Sequence, residues 1–189
     1  MTFKFCENSA LVVVDMQHCF ASKGGMIYVP QAESQIPTII TYVNKALEER
    51  SPVIHTAVVW DTVEDIPRGL ASRMPRILEG WDKDNGLKRG TYGSRLHHPY
   101  YNPPHIVVEK KSFDAFYNTD LEQKLKNLGI DTIYLIGTTA SNCVHATARG
   151  AFHRNIGIIA LADGISDFSK EQRMPALKNI EKFMGEVIW

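Results

Sequence analysis

The sequence predicts an α/β protein built on a parallel sheet with helices on both faces. Three observations lead there. Short apolar runs recur along the chain and alternate with amphipathic stretches at helical spacing. The runs are apolar at consecutive positions, the pattern of strands covered on both sides. Several runs end in a polar, chemically able residue, and sheets of this kind carry active sites at the carboxyl ends of their strands.

The elements follow in order. Residues 10–15 form a β-branched run that closes on Asp15, the first strand. Ile36, Ile39, Ile40, Val43 and Leu47 recur at helical spacing and predict a helix over 36–47. The stretch 52–60 is a second strand ending at Trp60, and 106–109 a third, ending beside Lys110. Leu121, Leu125 and Leu128 mark one face of a helix, with Gly129 as its cap. A fourth strand covers 132–137, a helix follows over 142–153, and 156–162 is a fifth strand. Residues 169–184 read as a helix, and Val187 and Ile188 as a last short strand. The stretch 61–104, rich in glycine, proline and charge, is expected to be long irregular surface structure, a common seat of specificity.

A chain of 189 residues fits one domain over 1–189, with 44% apolar and 22% charged residues, ordinary for a globular protein. Lysine plus arginine equals aspartate plus glutamate at 21 each, so no excess of positive charge invites nucleic acid or an anionic membrane. No apolar run approaches the roughly 20 residues that span a bilayer. The first nine residues lack the apolar centre of a signal peptide. Three cysteines, Cys6, Cys19 and Cys143, point away from a disulfide framework and toward a reducing, cytoplasmic setting.

Cys143 stands between a strand end at Gly137 and a helix starting near Asn142, with Ser141 and Asn142 as capping types. In a first helical turn, free amides and the helix dipole favour a thiolate, and the same N–H groups can hold an oxyanion. Asp15 and Lys110 each close another strand on the same edge, while Lys111 should point the other way. A carboxylate can accept a thiol proton and an ammonium can stabilise the thiolate. Taken singly, each also reads as a structural residue: a buried cysteine, a capping aspartate, a surface lysine.

Together these residues carry a resemblance. The run over 12–17 followed by Phe20, the segment 107–116 around Lys110 with Thr119 to Leu121 after it, the segment 137–149 around Cys143, and Asp163 after the fifth strand lie in order along nearly the whole chain. The chain resembles the isochorismatase-like cysteine hydrolases, which include nicotinamidases, N-carbamoylsarcosine amidases and ureidoacrylate amidases. The resemblance implies a three-layer sandwich with a six-stranded, mostly parallel sheet of Rossmann-like topology. It implies an Asp15-Lys110-Cys143 catalytic set, a non-proline cis peptide at Thr138–Thr139, and oxyanion donors in the amides of Thr139 and Cys143. It also implies a homodimer or homotetramer acting on a small-molecule amide through a thioester.

Two departures narrow the activity. Nicotinamidases carry an Asp-x-His metal cluster after the second strand, and here that position reads Trp60-Asp61-Thr62-Val63. His55 sits inside a predicted strand, as expected of a core residue, and His18, His97, His98, His105, His145 and His153 lack ligand spacing. No metal or other cofactor is therefore expected. Isochorismatases proper lack the nucleophilic cysteine, so Cys143 points to amides. The segment 89–95 is similar to a glycine-rich stretch of the carbamoyl and ureido amidases. Phe20, Trp60 and Trp81 are candidates for a substrate pocket, and Arg68, Arg73, Arg89 and Arg95 for binding a substrate carboxylate. The alternatives are a nicotinamidase-type amidase, a silent protein on the same fold, or a redox thiol protein pairing Cys143 with Cys19.

Overall fold

The protein is described by a computed structural model that covers residues 3–97 and 105–189. Among these residues the chain runs β1 (Ser9–Val14), α1 (His18–Ala21), α2 (Pro30–Ser34), α3 (Ile36–Glu48), β2 (Val53–Val58), a 3₁₀ turn (Val63–Asp65), α4 (Arg68–Arg73) and α5 (Arg76–Glu79). It continues with β3 (Ile106–Lys110), α6 (Leu121–Asn127), β4 (Thr132–Thr138), a π turn (Ala140–Val144), α7 (His145–Phe152), β5 (Gly157–Ser166), α8 (Lys170–Phe183) and β6 (Glu186–Ile188). The six strands form one sheet in the order β3-β2-β1-β4-β5-β6, and every neighbouring pair is parallel.

Period-two alternation sorts the sheet residues between two cores. Ala10, Val12 and Val14 of β1, with Ile133 and Leu135 of β4, face a core closed by Leu125 of α6, Ala148 of α7 and Leu177 of α8. Leu11, Val13, Tyr134 and Ile136 face the opposite core, closed by Phe20 of α1, Ala32 of α2 and Ile39 and Val43 of α3. All six residues of β1 are buried, which is why that run shows no polar alternation in the sequence.

Several expectations are corrected. The fifth strand does not stop at Ala162; a register shift against β4 between Leu135 and Gly137 lets β5 continue through Asp163 to Ser166. The segment after Asp61 is not wholly irregular, since the 3₁₀ turn, α4 and α5 lie in it. Thr62 and Asp65 form a reciprocal capping box there. The helices α1 and α2, each of five residues or fewer, have no expected counterpart. Gly129 does follow α6 with φ at +68°, and the Ile130 N–H donates to the Leu125 carbonyl as in a Schellman cap.

His55 lies fully buried in β2, with Nε2 2.9 Å from His105 Nδ1. Burial, reinforced by His105, pushes its pKa down to about 3. A histidine with a folded pKa below its unfolded value stabilises the fold above the unfolded value, 6.5, and that stability is lost as pH falls toward about 3. Denaturant midpoints should therefore decline from roughly pH 6 to 4.5, above the range where carboxylates dominate, with His55 adding up to about 1.4 kcal/mol per pH unit. In His55→Gln that part of the slope should vanish; an unchanged slope would show that His55 does not titrate this way.

Candidate active site

β1 and β4 are neighbours at the centre of the sheet, and the chain leaves them toward opposite sheet edges. This is the switch point at which open α/β sheets form a crevice. Asp15 follows β1, and the loop carrying Cys143 follows β4. Lys110 reaches the same place from the end of β3.

Asp15 is fully buried and takes φ of +50°, a left-handed conformation that aspartate tolerates better than most residues. That turn is fastened by its own N–H, 3.2 Å from the Thr56 carbonyl, and by the Thr56 hydroxyl, which donates to Asp15 Oδ1 at 2.6 Å. The other oxygen, Oδ2, lies 2.7 Å from Lys110 Nζ. Lys110 Nζ also donates to the carbonyls of Ser112 at 2.8 Å and Phe113 at 3.0 Å. The Cys143 thiol lies close enough to Asp15 and Lys110 for both to act on its ionisation. One carboxylate, one ammonium and one thiol thus share a space closed to bulk water, with Asp15 and Lys110 exposed by 1% or less.

Burial, on its own, pushes the Lys110 ammonium down, but negative charge beside it, that of the Asp15 carboxylate first, outweighs this and holds its pKa above the ordinary lysine value. Lys110 is a fixed cation. For Cys143 the balance is opposite. Burial pushes the thiol well up; Lys110 pulls it down, and Asp15 adds to the rise. The balance runs against the expected stabilised thiolate, since burial raises the thiol more than Lys110 lowers it. Capping is corrected too. The turn starts at Ala140, Thr139 precedes it in extended conformation, and Ser141 and Asn142 lie inside it. The Ser141 N–H, one of the free amides expected to attract a thiolate, donates instead to Asp167 Oδ2 at 2.7 Å. Asp167 is fully buried and follows β5, so its sequence position gave no hint of this cap.

The Thr138–Thr139 peptide is cis. Gly137, just before it, takes φ of +110°, and a Cβ there would lie 2.2 Å from the Val14 carbonyl oxygen. Only glycine allows β4 to pass β1 this closely. Gln17 is buried as well. Its amide nitrogen donates to the carbonyls of Val58 at 2.9 Å and Ser94 at 2.7 Å, and its oxygen accepts from the Val58 N–H at 2.8 Å. It ties the end of β2 to the 91–96 loop beside the crevice.

A cavity of about 440 Å³ opens above the thiol. Cys143, Thr138, Thr139 and Asn142 form its reactive side, and Phe20 and Trp60 line it. Trp81 lies elsewhere: it packs against the core that contains Phe20, with Lys88 Nζ 5.3 Å from its ring centre. The lining instead takes Leu70, Met74, Phe113 and Phe168, which the sequence did not single out. Of the four arginines considered, Arg73 lines the cavity, whereas Arg68, Arg89 and Arg95 do not. Arg89 is engaged with Asp61 and Glu109.

Asp61 stands where an Asp-x-His cluster would begin. It is paired with Arg89 at 2.5 Å and with Lys111, which also meets Asp65 at 3.0 Å. Among the described residues, no three His, Cys, Asp or Glu side chains are grouped to hold a metal ion; His98 lies outside them. No helix among them is long and apolar enough to cross a membrane. Cys19 sits in the core opposite Cys143, its thiol pushed up to about 12 by burial.

Comparison with known proteins adds sequence and structural relatives. The model of the isochorismatase domain matches residues 9–189. The ureidoacrylate amidohydrolase RutB of Methylorubrum extorquens is 30% identical over 199 residues, covering 96% of this chain and 79% of the relative. A solved cysteine hydrolase from Pseudomonas syringae pv. phaseolicola 1448A superposes with a TM-score of 0.84 at 24% identity, over 95% of this chain and 87% of that one. The N-carbamoylsarcosine amidase of Thermoplasma acidophilum superposes with a TM-score of 0.76 at 25% identity, over 95% of each chain.

Proposed function

Because the chain belongs to the isochorismatase family, we propose that it is an amidohydrolase that cleaves the C–N bond of a small carbamoyl or ureido amide, with Cys143 as nucleophile. The observation that carries this reading is the buried Asp15–Lys110 pair, whose charges act on the Cys143 thiol, at a cavity of small-molecule size that Cys143 lines. The named activities of the amidohydrolase relatives support the substrate class.

The geometry supports the following reaction. Asp15 removes the thiol proton as Cys143 Sγ attacks the carbonyl carbon. Lys110, already charged, stabilises the sulfur as it becomes anionic, which offsets part of the burial that raises the thiol. The tetrahedral oxyanion is held by the amides of Thr139 and Cys143. Collapse breaks the C–N bond, and Asp15 passes its proton to the departing ammonia, leaving an acyl-cysteine: a thioester from a simple amide, a thiocarbamate from a carbamoyl or ureido compound. Water then attacks that carbonyl with Asp15 as base, and the Cys143 sulfur regains its proton when the acid product leaves. The same proposal places the protein in the cytoplasm as a homodimer or homotetramer, a state that sedimentation velocity would read directly.

The test is ammonia release from N-carbamoyl amino acids, ureidoacrylate, biuret, maleamate and nicotinamide at equal concentration. The carbamoyl and ureido compounds should give the highest kcat/KM. A clear preference for nicotinamide would move the substrate class while leaving the cysteine amidase chemistry in place. Asp15→Asn, which keeps the shape and removes the base, should lower kcat by about 10²–10⁴ on the best substrate. Near-normal kcat in that variant would remove Asp15 from the proton-transfer role.

A further inference from the structure

The charges around the cavity are not balanced evenly. No carboxylate side chain is among its lining residues, and two cations, Arg73 and Lys111, are. Lys111 is answered by Asp61 and Asp65 on its far side. Lys110, beneath the floor, is answered by Asp15. The guanidinium of Arg73, the last residue of α4, makes no hydrogen bond or ion pair among the described residues. Much of the rest of the lining is apolar, with Phe20, Trp60, Leu70, Met74, Phe113 and Phe168. A ligand whose body lies against these side chains finds in Arg73 the lining cation that no carboxylate among the described residues answers. A guanidinium binds a carboxylate through two parallel N–H···O bonds, stronger than neutral hydrogen bonds.

Resting on the amidase reading above, we propose that Arg73 binds the carboxylate of the substrate, and that the site takes carbamoyl or ureido acids with an apolar body between the reacting carbonyl and a terminal anion. Arg73 thus selects substrates without touching the reacting atoms. Its place on α4, in a stretch rich in glycine and proline, sets this selection apart from the sheet-borne catalytic groups.

The experiment compares N-carbamoylphenylalanine with N-carbamoyl-2-phenylethylamine, which has the same body and no carboxylate. The wild-type protein should prefer the acid. In Arg73→Gln the ratio of kcat/KM for the acid over the amine analogue should fall roughly 10–100-fold, mostly through KM, as loss of a charge-assisted hydrogen-bonded pair implies. Arg73→Lys should retain part of the ratio. Arg73 is exposed, so thermal melting should show all variants folded. An unchanged ratio in Arg73→Gln would overturn the inference. So would a wild-type protein that turns over biuret or the amine analogue but not the acid. Release of ammonia from none of the panel would instead bring down the amidase reading, and this inference with it.

Discussion

Cys143→Ala should lose at least about 10⁴ in kcat/KM on any substrate the protein hydrolyses, because removing the nucleophile removes the whole covalent route. The substitution deletes one sulfur atom at a buried position next to Val144 and Ala140 and leaves the Asp15–Lys110 pair in place. Its stability cost should be small, on the order of 1 kcal/mol, or about 2–4 °C in melting temperature for a chain of this size. The protein should therefore be folded and inactive. Activity within a few-fold of normal in Cys143→Ala would sink the mechanism, however well the rest of the site fits.

Lys110→Met is expected to have the largest effect on stability. Methionine fills much of the lysine's volume, but Asp15 would be left as an uncompensated carboxylate in a fully buried position. Breaking a buried pair from one side costs about 3–5 kcal/mol, or roughly 6–20 °C in melting temperature. The carbonyls of Ser112 and Phe113 would lose their donor as well. The double variant Asp15→Asn/Lys110→Met removes both charges, so it should melt well above Lys110→Met alone while remaining inactive. If Lys110→Met melts like the wild type, the pair is not the buried, charged unit that the 2.7 Å contact implies.

The catalytic candidates were legible in the sequence because each closes an apolar run, and the ends of parallel strands are where chemistry collects. Asp15, Lys110 and Cys143 needed no knowledge of packing to be singled out. The protonation state of Cys143 did need it. A helix end suggests a stabilised thiolate, but the cost of burying a charge depends on neighbours brought in by β1, β3 and β5, far away in sequence. Asp167, which takes the Ser141 amide, is likewise brought in from far along the chain. The pocket walls show the same limit. Phe20 and Trp60 flank strand ends and line the cavity, whereas Trp81, which follows the four-residue α5, does not, and so short a helix shows no period from which its side could be read. Leu70, Met74 and Phe168 reach the cavity through tertiary folding alone.

The strand order also dictates the sequence of events on a ribosome. β1 pairs with β4 along its full length, from Ser9 opposite Thr132 to Val14 opposite Gly137. As the chain emerges, β2 and β3 can join one side of β1 at once, but its other side waits for most of the polypeptide to be made. During that interval a nascent half-sheet presents an unpaired apolar edge, the kind of surface that holdase chaperones cover and that crowding turns into aggregates. Asp15 and Lys110 both belong to this first half of the sheet, so the ion pair can close before the strand that leads to the nucleophile has joined it. Cys143 arrives with the strand that seals the edge, and the thiol meets its base only when the sheet is complete.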